Sequence, residues 1–468
     1  MTPAARAQAT LDLLEILFPD AGSAPAGPPA DRALADYLRG RRYIGSKDRR
    51  AVAEQLYGVL RAHARLGWWM ERAAAAPGNR LRLIAWLLLA GHESVAAVRT
   101  LFDGSSYGPE PLDAAEVAAA KRLAGETLDH PDQPLDVRHE VPAWLLPQLR
   151  AALGADLPRE LSALAGEAPV DLRVNTLKAE RAAVQAALAE EGIASAVGRL
   201  SPWALRIDGR RPVAATRAFR DGLVEVQDEG SQLVAWLVGA RPGERVCDLC
   251  AGAGGKTLAL AATMRNKGQI FACDTLKGRL DRSAARLKRA GAFNVARRVL
   301  KSETDPWIKR HKAGFDRVLV DAPCSGAGAW RRNPDAKWRL TPEGLDRLTA
   351  LQGRLLSSSA RLVKPGGRLV YATCSLLPAE NLAQVERFLA ARPDFRLVPL
   401  AEAWPEELPG KPPSAGETLL LRPASHGTDG FFVAVLQRRL EAAGAHDATG
   451  EAQGQVGGSA ETPPLESA

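Results

Sequence analysis

Two thiols and a carboxylate follow two apolar segments in the second half of the chain. Asp321 and Cys324 lie in the loop that comes directly after the apolar run 315–320, and Cys374 follows a second such run, 367–372. Short apolar runs that end in Gly- and Pro-rich loops are typical of buried strands. Open α/β sheets bind ligands at the carboxyl ends of their strands, so these residues predict a chemical site there.

A glycine-rich loop indicates which ligand this site would hold. Residues 250–257 follow the short apolar strand 246–249, which carries Asp248. Glycines let a ligand approach the backbone, and the next helix presents free N–H groups. The loop lacks the first glycine of a phosphate-binding P-loop and the spacing of a dinucleotide loop. The next strand, 269–273, ends in Asp274; an acid there suits a ribose diol and indicates an adenosine-containing ligand.

The other three cysteines, Cys247, Cys250 and Cys273, fit the pattern of small buried hydrophobic residues. Cys247 and Cys250 form a CxxC pair, but no second pair and no suitably spaced histidines accompany it. Neither a zinc site nor a thioredoxin-like redox site is therefore predicted, and no metal is expected.

Composition and charge describe an ordinary globular chain that suits a polyanionic partner. The 468 residues are 46% hydrophobic and 25% charged, with a net charge of +8 and a pI near 9.4. This length predicts two or three domains. The five cysteines do not resemble a secreted disulfide framework, the longest apolar stretch, 83–90, is too short to span a bilayer, and the first residues lack a signal-peptide pattern. A reduced, cytoplasmic protein is expected.

The order of the sequence patterns predicts an α/β protein with three folded parts and a tail. Helical periodicity dominates residues 1–135, a small α+β module occupies 136–218, and strands and helices alternate as in a doubly wound sheet at 219–438. Residues 439–468 are rich in Gly, Ala and Glu, with almost no large apolar residues, and this tail is expected to be disordered.

Three motifs in this order resemble a known enzyme family. Residues 248–257, 321–326 and 371–375 are similar to the core motifs of the Sun-type RNA 5-methylcytosine methyltransferases, which use S-adenosylmethionine. The resemblance covers residues 141–438. Further stretches that share it are 226–231, 330–338, 378–381 and 428–432.

The amino-terminal helices resemble a second known domain. Residues 44–50 and 56–61 are similar to the NusB-like RNA-binding domain that precedes the catalytic part of the bacterial small-subunit rRNA methyltransferase B (Sun/Fmu) proteins. Together the resemblances imply a Rossmann-like class I S-adenosylmethionine-dependent methyltransferase domain. They place an all-α NusB-like domain and the small α+β module before it.

The resemblance implies covalent catalysis on cytosine. Carbon 5 of cytosine is a poor nucleophile, and a thiolate that adds to carbon 6 makes it reactive toward a methyl sulfonium. The family pattern makes Cys374 this nucleophile and Cys324 the group that assists product release, with Lys256 and Asp321 in contact with the base. DNA cytosine methyltransferases use the Pro-Cys thiol instead, so no DNA substrate is expected. The implied cofactor contacts are Cys250, Ala251, Gly252, Ala253, Gly254, Gly255, Lys256, Asp274, Ser302 and Asp321.

Two positions depart from the family pattern. Ala253 stands where the family usually has proline, which should leave the backbone cradle intact. The predicted third strand, 295–300, is followed by Lys301, Ser302 and Glu303, where the family usually has an aspartate that binds the adenine amine. Ser302 is the nearest positional match and Glu303 is the alternative.

Two groups of basic residues are candidates for RNA contacts. The first is either an RNA-facing patch or a solvated charged face. It comprises Arg41, Arg42, Lys47, Arg49, Arg50, Arg61 and Arg65. The second directly follows the Cys324 loop and is predicted to contact backbone phosphates, with a solvated loop as the alternative. It comprises Arg331, Arg332, Lys337 and Arg339.

The predicted function is S-adenosylmethionine-dependent methylation of carbon 5 of a cytosine in 16S rRNA, through a covalent Cys–cytosine intermediate. The expected partner is RNA, with no membrane association, and the protein is expected to be a monomer. One alternative is a related enzyme that modifies tRNA or another RNA position. Another is an inactive RNA-binding ribosome-assembly factor, against which the intact Cys324, Cys374, Lys256 and Asp321 argue.

Overall fold

A computed structural model describes residues 1–19, 24–74, 76–209, 211–414 and 416–440. The mixed α/β class with a parallel-stranded sheet is confirmed. Most of the tail predicted to be disordered, residues 441–468, lies outside the described residues. Within the described part, no helix is long and apolar enough to cross a membrane.

In the described residues of the amino-terminal part, seven helices form a bundle around one apolar core. Leu13, Leu14 and Leu17 of the first helix are fully buried, as are Leu56 and Leu60 of the third. Their spacing places them on one face of each helix, and these faces meet in the core. The helices are α1 (Pro3–Leu17), α2 (Ala30–Gly40), α3 (Ser46–Arg61), α4 (His63–Arg72), α5 (Asn79–Leu89), α6 (Val95–Leu101) and α7 (Ala114–Leu123).

Three short helices connect this bundle to a small antiparallel sheet. They are α8 (Leu135–Arg138), α9 (Leu146–Leu153) and α10 (Leu157–Ala165). Helices α9 and α10 pack against Trp330 and Leu376 of the large domain. The sheet has the order β2-β3-β1-β4 and buries its apolar face under α11. Its elements are β1 (Val170–Val174), α11 (Arg181–Glu190), β2 (Ser195–Val197), β3 (Ala204–Ile207), α12 (Arg217–Arg220) and β4 (Val224–Val226).

The large domain is a doubly wound sheet with the strand order β10-β12-β9-β8-β5-β6-β7, and β11 pairs with β12. Apolar clusters cover both faces, which explains why its central strands are apolar throughout. The strands are β5 (Arg245–Asp248), β6 (Gln269–Asp274), β7 (Val295–Val299), β8 (Phe315–Asp321), β9 (Val363–Thr373), β10 (Phe395–Leu397), β11 (Leu419–Leu421) and β12 (Phe431–Arg438). The helices are α13 (Glu229–Val238), α14 (Gly255–Thr263), α15 (Lys277–Ala290), α16 (Pro306–Arg310), α17 (Ala336–Arg339), α18 (Pro342–Ala360), α19 (Leu382–Ala391), α20 (Leu400–Ala403) and α21 (Pro423–His426).

The prediction that the basic segment after Cys324 contacts phosphates is wrong, because the protein pairs these charges internally. Arg331 is 5% exposed, and its Nε donates to Oδ1 of Asp429 at 2.7 Å. Arg332 donates to Asp429 and, at 2.9 Å, to Oδ2 of Asp228.

Lys337 is buried within the fold, and Arg339 joins the large domain to the helical bundle. Lys337 is 2% exposed, and burial lowers its pKa to about 8, against the opposing charge of Glu140. Arg339 donates from Nε to Oδ2 of Asp335 at 2.8 Å and from Nη2 to the Pro28 carbonyl at 2.7 Å. Lys337 is therefore buried within the fold, and the Arg339 side chain bonds to the segment before α2.

Two members of the first basic group, Arg61 and Arg65, are also bonded within the protein, so they are not candidates for RNA contacts. Arg65 is paired with Glu140 at 3.0 Å and with Asp129 at 2.7 Å, and Arg61 donates to the carbonyl of Arg331. The remaining members, Arg41, Arg42, Lys47, Arg49 and Arg50, lie between α2 and the first turns of α3. Their role stays a prediction.

Candidate active site

The two thiols lie side by side. Cys324 follows the end of β8 and Cys374 follows the end of β9, and their Sγ atoms are 3.4 Å apart. Both residues are partly buried. Hydrogen bonding with Cys374, together with burial, raises the pKa of Cys324 well above that of an ordinary thiol. Cys324 therefore remains a thiol that can donate a hydrogen bond to the Cys374 sulfur.

An ammonium–carboxylate pair lies next to the thiols. Lys256 is in the first turn of α14, and its Nζ lies 2.7 Å from Oδ2 of Asp321. Burial lowers the pKa of Lys256, but the Asp321 carboxylate more than offsets this, so the net shift is upward. The Lys256 side chain is 11% exposed and that of Asp321 is 29% exposed. The Lys256 ammonium therefore stays charged although it is largely buried, while the Asp321 carboxylate remains partly exposed to solvent.

The glycine-rich loop has the backbone shape that a close ligand requires. Gly252 and Gly254 have φ angles of 56° and 81°, in the left-handed region that favours glycine. A Cβ on Gly252 would lie 2.9 Å from Arg279, and one on Gly254 would lie 2.9 Å from Ser283. A larger residue at either position would strain the backbone and require these neighbours to shift. The N–H groups at the start of α14 follow directly.

Asp274 ends β6 and fixes this loop. Its Oδ2 accepts a hydrogen bond from the Gly252 N–H at 2.8 Å, and its Oδ1 accepts one from the Leu276 N–H at 2.7 Å. Each carboxylate oxygen can still accept a second hydrogen bond. A ribose diol beside this carboxylate would therefore find acceptors already oriented.

A cavity of about 440 Å³ joins the cofactor residues to the thiols. Of the predicted residues, Cys250, Asp274, Ser302, Asp321, Cys324 and Cys374 line it. Ala251, Gly252, Ala253, Gly254, Gly255 and Lys256 do not line it. Its other lining residues are Leu249, Thr275, Leu276, Arg279, Leu300, Glu303, Ala322, Pro323, Leu351 and Leu355. Its apolar and acidic walls fit a nucleoside with a charged tail.

Ser302 and Glu303 both reach this cavity, so both alternatives for the adenine contact remain proposals. The Glu303 carboxylate accepts a hydrogen bond from Nε of Arg354 at 2.6 Å, which lowers its pKa. The Ser302 hydroxyl lies 2.9 Å from the Thr304 hydroxyl. Each side chain therefore already has a protein partner.

Asp248 lies behind the glycine loop and is 1% exposed. Its Oδ2 accepts a hydrogen bond from the Thr257 hydroxyl at 2.7 Å, while its Oδ1 has no partner among the described residues. Burial raises the pKa of Asp248 to about 7, although the Thr257 hydrogen bond opposes the shift. This residue is a buried carboxyl that takes up a proton near neutral pH.

The remaining cysteines are not arranged for chemistry. Cys247 and Cys273 are fully buried, and Cys250 lies at the cavity wall, where burial raises its pKa. In the described ranges, no cluster of three or more His, Cys, Asp or Glu side chains could hold a metal ion.

Sequence reasoning missed Arg173, a residue of β1 that reaches the cofactor loop. Arg173 is 2% exposed, and its Nη1 donates to the Gly255 carbonyl at 2.7 Å and to Oε1 of Gln227 at 2.8 Å. Its Nε has no hydrogen-bond partner in the described part of the chain. The available signal was a charged residue at every second position of the β1 segment, Asp171 and Arg173, between apolar residues.

Three features of the large domain define its class of protein. They are the doubly wound parallel sheet, the glycine loop after the first parallel strand and the acid after the next strand. They are the features of an S-adenosylmethionine-dependent methyltransferase, and the donor groups of the cavity fit that cofactor. Comparisons with known proteins agree. Residues 235–437 match the family described as 16S rRNA methyltransferase RsmB/F, and residues 141–214 match the ferredoxin-like domain of RsmF/B-like methyltransferases.

Curated relatives match over nearly their whole length. The probable ribosomal RNA small subunit methyltransferase B of Synechocystis sp. is 34% identical over 428 residues, which are 87% of this chain and 94% of that protein. The ribosomal RNA small subunit methyltransferase B of Klebsiella pneumoniae is 32% identical over 413 residues, which are 85% of this chain and 91% of that protein. The chain therefore belongs to the RsmB/F family of 16S rRNA methyltransferases.

Solved structures show the same fold. The crystal structure of PH0851 covers 94% of this chain and 99% of its own, with a TM-score of 0.76 and 28% identity. The structure of NSun6 from Pyrococcus horikoshii has a TM-score of 0.56 at 20% identity, covers 64% of this chain and 99% of its own, and contains SFG, an analogue of S-adenosylmethionine.

Proposed function

We propose that this protein methylates carbon 5 of a cytosine in 16S rRNA through a covalent bond between Cys374 and the base. The observation that carries the proposal is the pair of sulfur atoms 3.4 Å apart at the wall of the cofactor cavity. A methyltransferase that acts on oxygen or on an exocyclic amine needs no such pair. Covalent activation of a pyrimidine ring requires one nucleophilic thiol, and the second thiol serves its release.

Cys374 begins the reaction by adding its thiolate to carbon 6 of the cytosine. The Cys324 thiol supports this charge by hydrogen bonding to the Cys374 sulfur. The addition makes carbon 5 electron-rich, and S-adenosylmethionine supplies the electrophilic methyl group when it is bound. Asp321 and Lys256 hold the base, with Asp321 suited to accept from its exocyclic amine and Lys256 suited to donate to a ring acceptor.

Release requires loss of the carbon 5 proton and cleavage of the carbon–sulfur bond. A base takes up the carbon 5 proton, the electrons of that C–H bond restore the double bond between carbons 5 and 6, and the carbon–sulfur bonding electrons return to the Cys374 sulfur. Cys324 assists this stage from its place beside the Cys374 sulfur. Because the two thiols act on the same base at different stages, both must lie close together, as they do at the adjacent ends of β8 and β9.

The protein would act as a monomer in the cytoplasm. The parts of the chain outside the catalytic site would bind the RNA and position it. The names of the relatives support small-subunit ribosomal RNA as the substrate. The bundle 1–135 is assigned as the RNA-binding domain, with the exposed Arg42, Tyr43 and Lys47 as candidate contacts. The target cytosine must leave its stack to reach the cavity, since both thiols lie below the protein surface.

Transfer of labelled methyl groups from S-adenosylmethionine to unmodified 16S rRNA tests the proposal. Bisulfite sequencing of the product should show one new protected cytosine, and a Cys374→Ala variant should show none. If only tRNA were methylated, tRNA would replace 16S rRNA as the proposed substrate. RNA binding without any methyl transfer would identify an inactive assembly factor instead.

A further inference from the structure

Two consecutive buried residues, Glu380 and Asn381, contact the loops that carry the two thiols. They follow β9 at the short turn Pro378–Glu380, and they are 0% and 3% exposed. Glu380 bonds to the loop of Cys324, and Asn381 bonds to the loop of Cys374. Neither residue lines the cofactor cavity.

Glu380 holds the residue that follows Cys324. Its Oε1 accepts from the Ser325 N–H at 2.8 Å, and its Oε2 accepts from the Ser325 hydroxyl. The side chain of Gln352 completes this side, because its Nε2 donates to Glu380 Oε1 at 3.0 Å and to the Pro323 carbonyl at 2.9 Å. The backbone is therefore fixed immediately before and immediately after Cys324.

Asn381 does the same for Cys374. Its Oδ1 accepts from the Thr373 hydroxyl at 2.6 Å, and its Nδ2 donates to the Ser375 carbonyl at 2.9 Å. Thr373 and Ser375 are both fully buried. One amide side chain thus spans the nucleophile and bonds to the residue on each side.

The two braces are joined through the serines that follow the cysteines. Ser325 directly follows Cys324 and Ser375 directly follows Cys374. The hydroxyl oxygens of the two serines lie 3.2 Å apart. The backbone of Glu380 is also fixed, because its carbonyl accepts from the Tyr371 hydroxyl at 2.6 Å. The separation of the thiols is therefore set by one buried network that starts from β9.

We propose that Glu380 and Asn381 are positioning residues, with Glu380 controlling the placement of Cys324 and Asn381 the placement of Cys374. The assignment of stages to the two cysteines rests on the proposed function. The placement itself does not. A group displaced by about 1 Å loses roughly a hundredfold in rate, so such a brace has a measurable effect.

The spacing of the thiols can be measured without RNA or cofactor. Diamide oxidises two adjacent thiols to one disulfide while its azo group takes up two protons and two electrons. The Cys324–Cys374 cross-link, quantified by mass spectrometry, should form rapidly in the wild type. It should form roughly tenfold more slowly in Glu380→Gln and Asn381→Asp, which keep side-chain size but lose hydrogen bonds. A rate equal to or above that of the wild type in both variants overturns the proposal.

The reaction stages give a second, independent readout. On 16S rRNA, Glu380→Gln should accumulate the covalent protein–RNA adduct and lower kcat with KM for RNA unchanged. Asn381→Asp should lower adduct formation itself. Parallel loss of both stages in both variants, in proportion to a lower Tm, would show a purely structural role.

Asn175→Ala is the matched control. Asn175 is also a buried amide, and its Nδ2 donates to the carbonyls of Gly222 and Ala290, away from the thiols. It should lower Tm without changing the cross-linking rate. Where Asn381→Asp does not fold, Asn381→Ala replaces it in the same assays. A wild type that cross-links but transfers no methyl group would reject the proposed function and leave the brace supported.

Discussion

Asp321 of β8 and Ala372 of β9 lie opposite each other in the parallel sheet. Cys324 comes three residues after the first and Cys374 two residues after the second, so the strand register brings both loops to the same edge of the sheet. Within this frame, the contacts of Glu380 and Asn381 hold the two sulfur atoms 3.4 Å apart. Changes to either thiol should therefore affect one shared reaction at different stages.

Removing either cysteine should give opposite results. Cys324→Ala retains the nucleophile but not the release group, so a denaturation-resistant protein–RNA adduct should accumulate. Cys374→Ala cannot form the bond and should give no adduct. Gel electrophoresis of labelled 16S rRNA after denaturation measures both. If Cys374→Ala formed the adduct and Cys324→Ala did not, the two roles would be exchanged.

Lys256→Met should abolish most activity with little effect on folding. The variant removes the ammonium that lies 2.7 Å from Asp321, while the side-chain volume stays similar. Loss of one oriented electrostatic contact at a reacting base lowers kcat by about 100- to 1000-fold. Single-turnover methyl transfer measures the rate, and thermal unfolding serves as the control. An unchanged rate would show that the base is held by other groups.

Arg173→Met should weaken cofactor binding. The guanidinium donates to the Gly255 carbonyl, and a hydrogen bond from a charged group contributes about 1.5–3 kcal/mol. Half of this is about a three- to twelvefold change in Kd. Calorimetric titration with S-adenosylmethionine measures it. Arg206→Met is the control, because Arg206 pairs with Asp171 in the same small sheet without touching the loop; equal weakening in both variants would indicate general loosening of the sheet.

Asp248 should make the folded state less stable as pH rises. Its pKa is about 7 in the folded chain, against a usual value of 3.8, so the folded state binds more protons between these values. Stability is then lost as the pH rises toward 7, by about 2–3 kcal/mol between pH 5 and pH 8. Urea unfolding of the wild type and Asp248→Asn at both pH values isolates this contribution. The difference between the two proteins should grow in favour of the variant at pH 8, and a constant difference would contradict the shift.

Arg331→Met should destabilise the fold rather than weaken phosphate contacts. Arg331 is buried with Asp429, and removing one partner of a buried ion pair costs about 3–5 kcal/mol. Arg347→Met, on the exposed face of α18, is the control for loss of charge. Urea unfolding should separate the two variants. Dependence of RNA affinity on salt should be the same for both, and a lower salt slope for Arg331→Met alone would restore the phosphate contact.

The strand-end chemistry was predictable because it depends on local pattern. Apolar runs that end in Gly- and Pro-rich loops placed Asp321, Cys324 and Cys374 at one edge of the sheet, and Asp274 followed from the same reasoning. The structure brings these four residues to one cavity.

The partners of charged residues were not predictable. Arg331 and Arg332 are indistinguishable in sequence from a solvated basic loop, because their carboxylates belong to Asp228 and Asp429, about a hundred residues away in either direction. Glu380 and Asn381 were visible only as part of a motif, since their contacts arise from the turn after β9. Local pattern gives the position of a side chain and leaves its distant partner undetermined.

The junction at Arg339 and Trp338 has a consequence for how the enzyme can be divided. Arg339 bonds to carbonyls between α1 and α2, and the His63 ring lies 4.9 Å from that of Trp338. A chain cut before residue 136 would remove these partners and expose Arg339 and Trp338 to water. The helical bundle therefore covers one face of the large domain, and a chain without the bundle would expose that face.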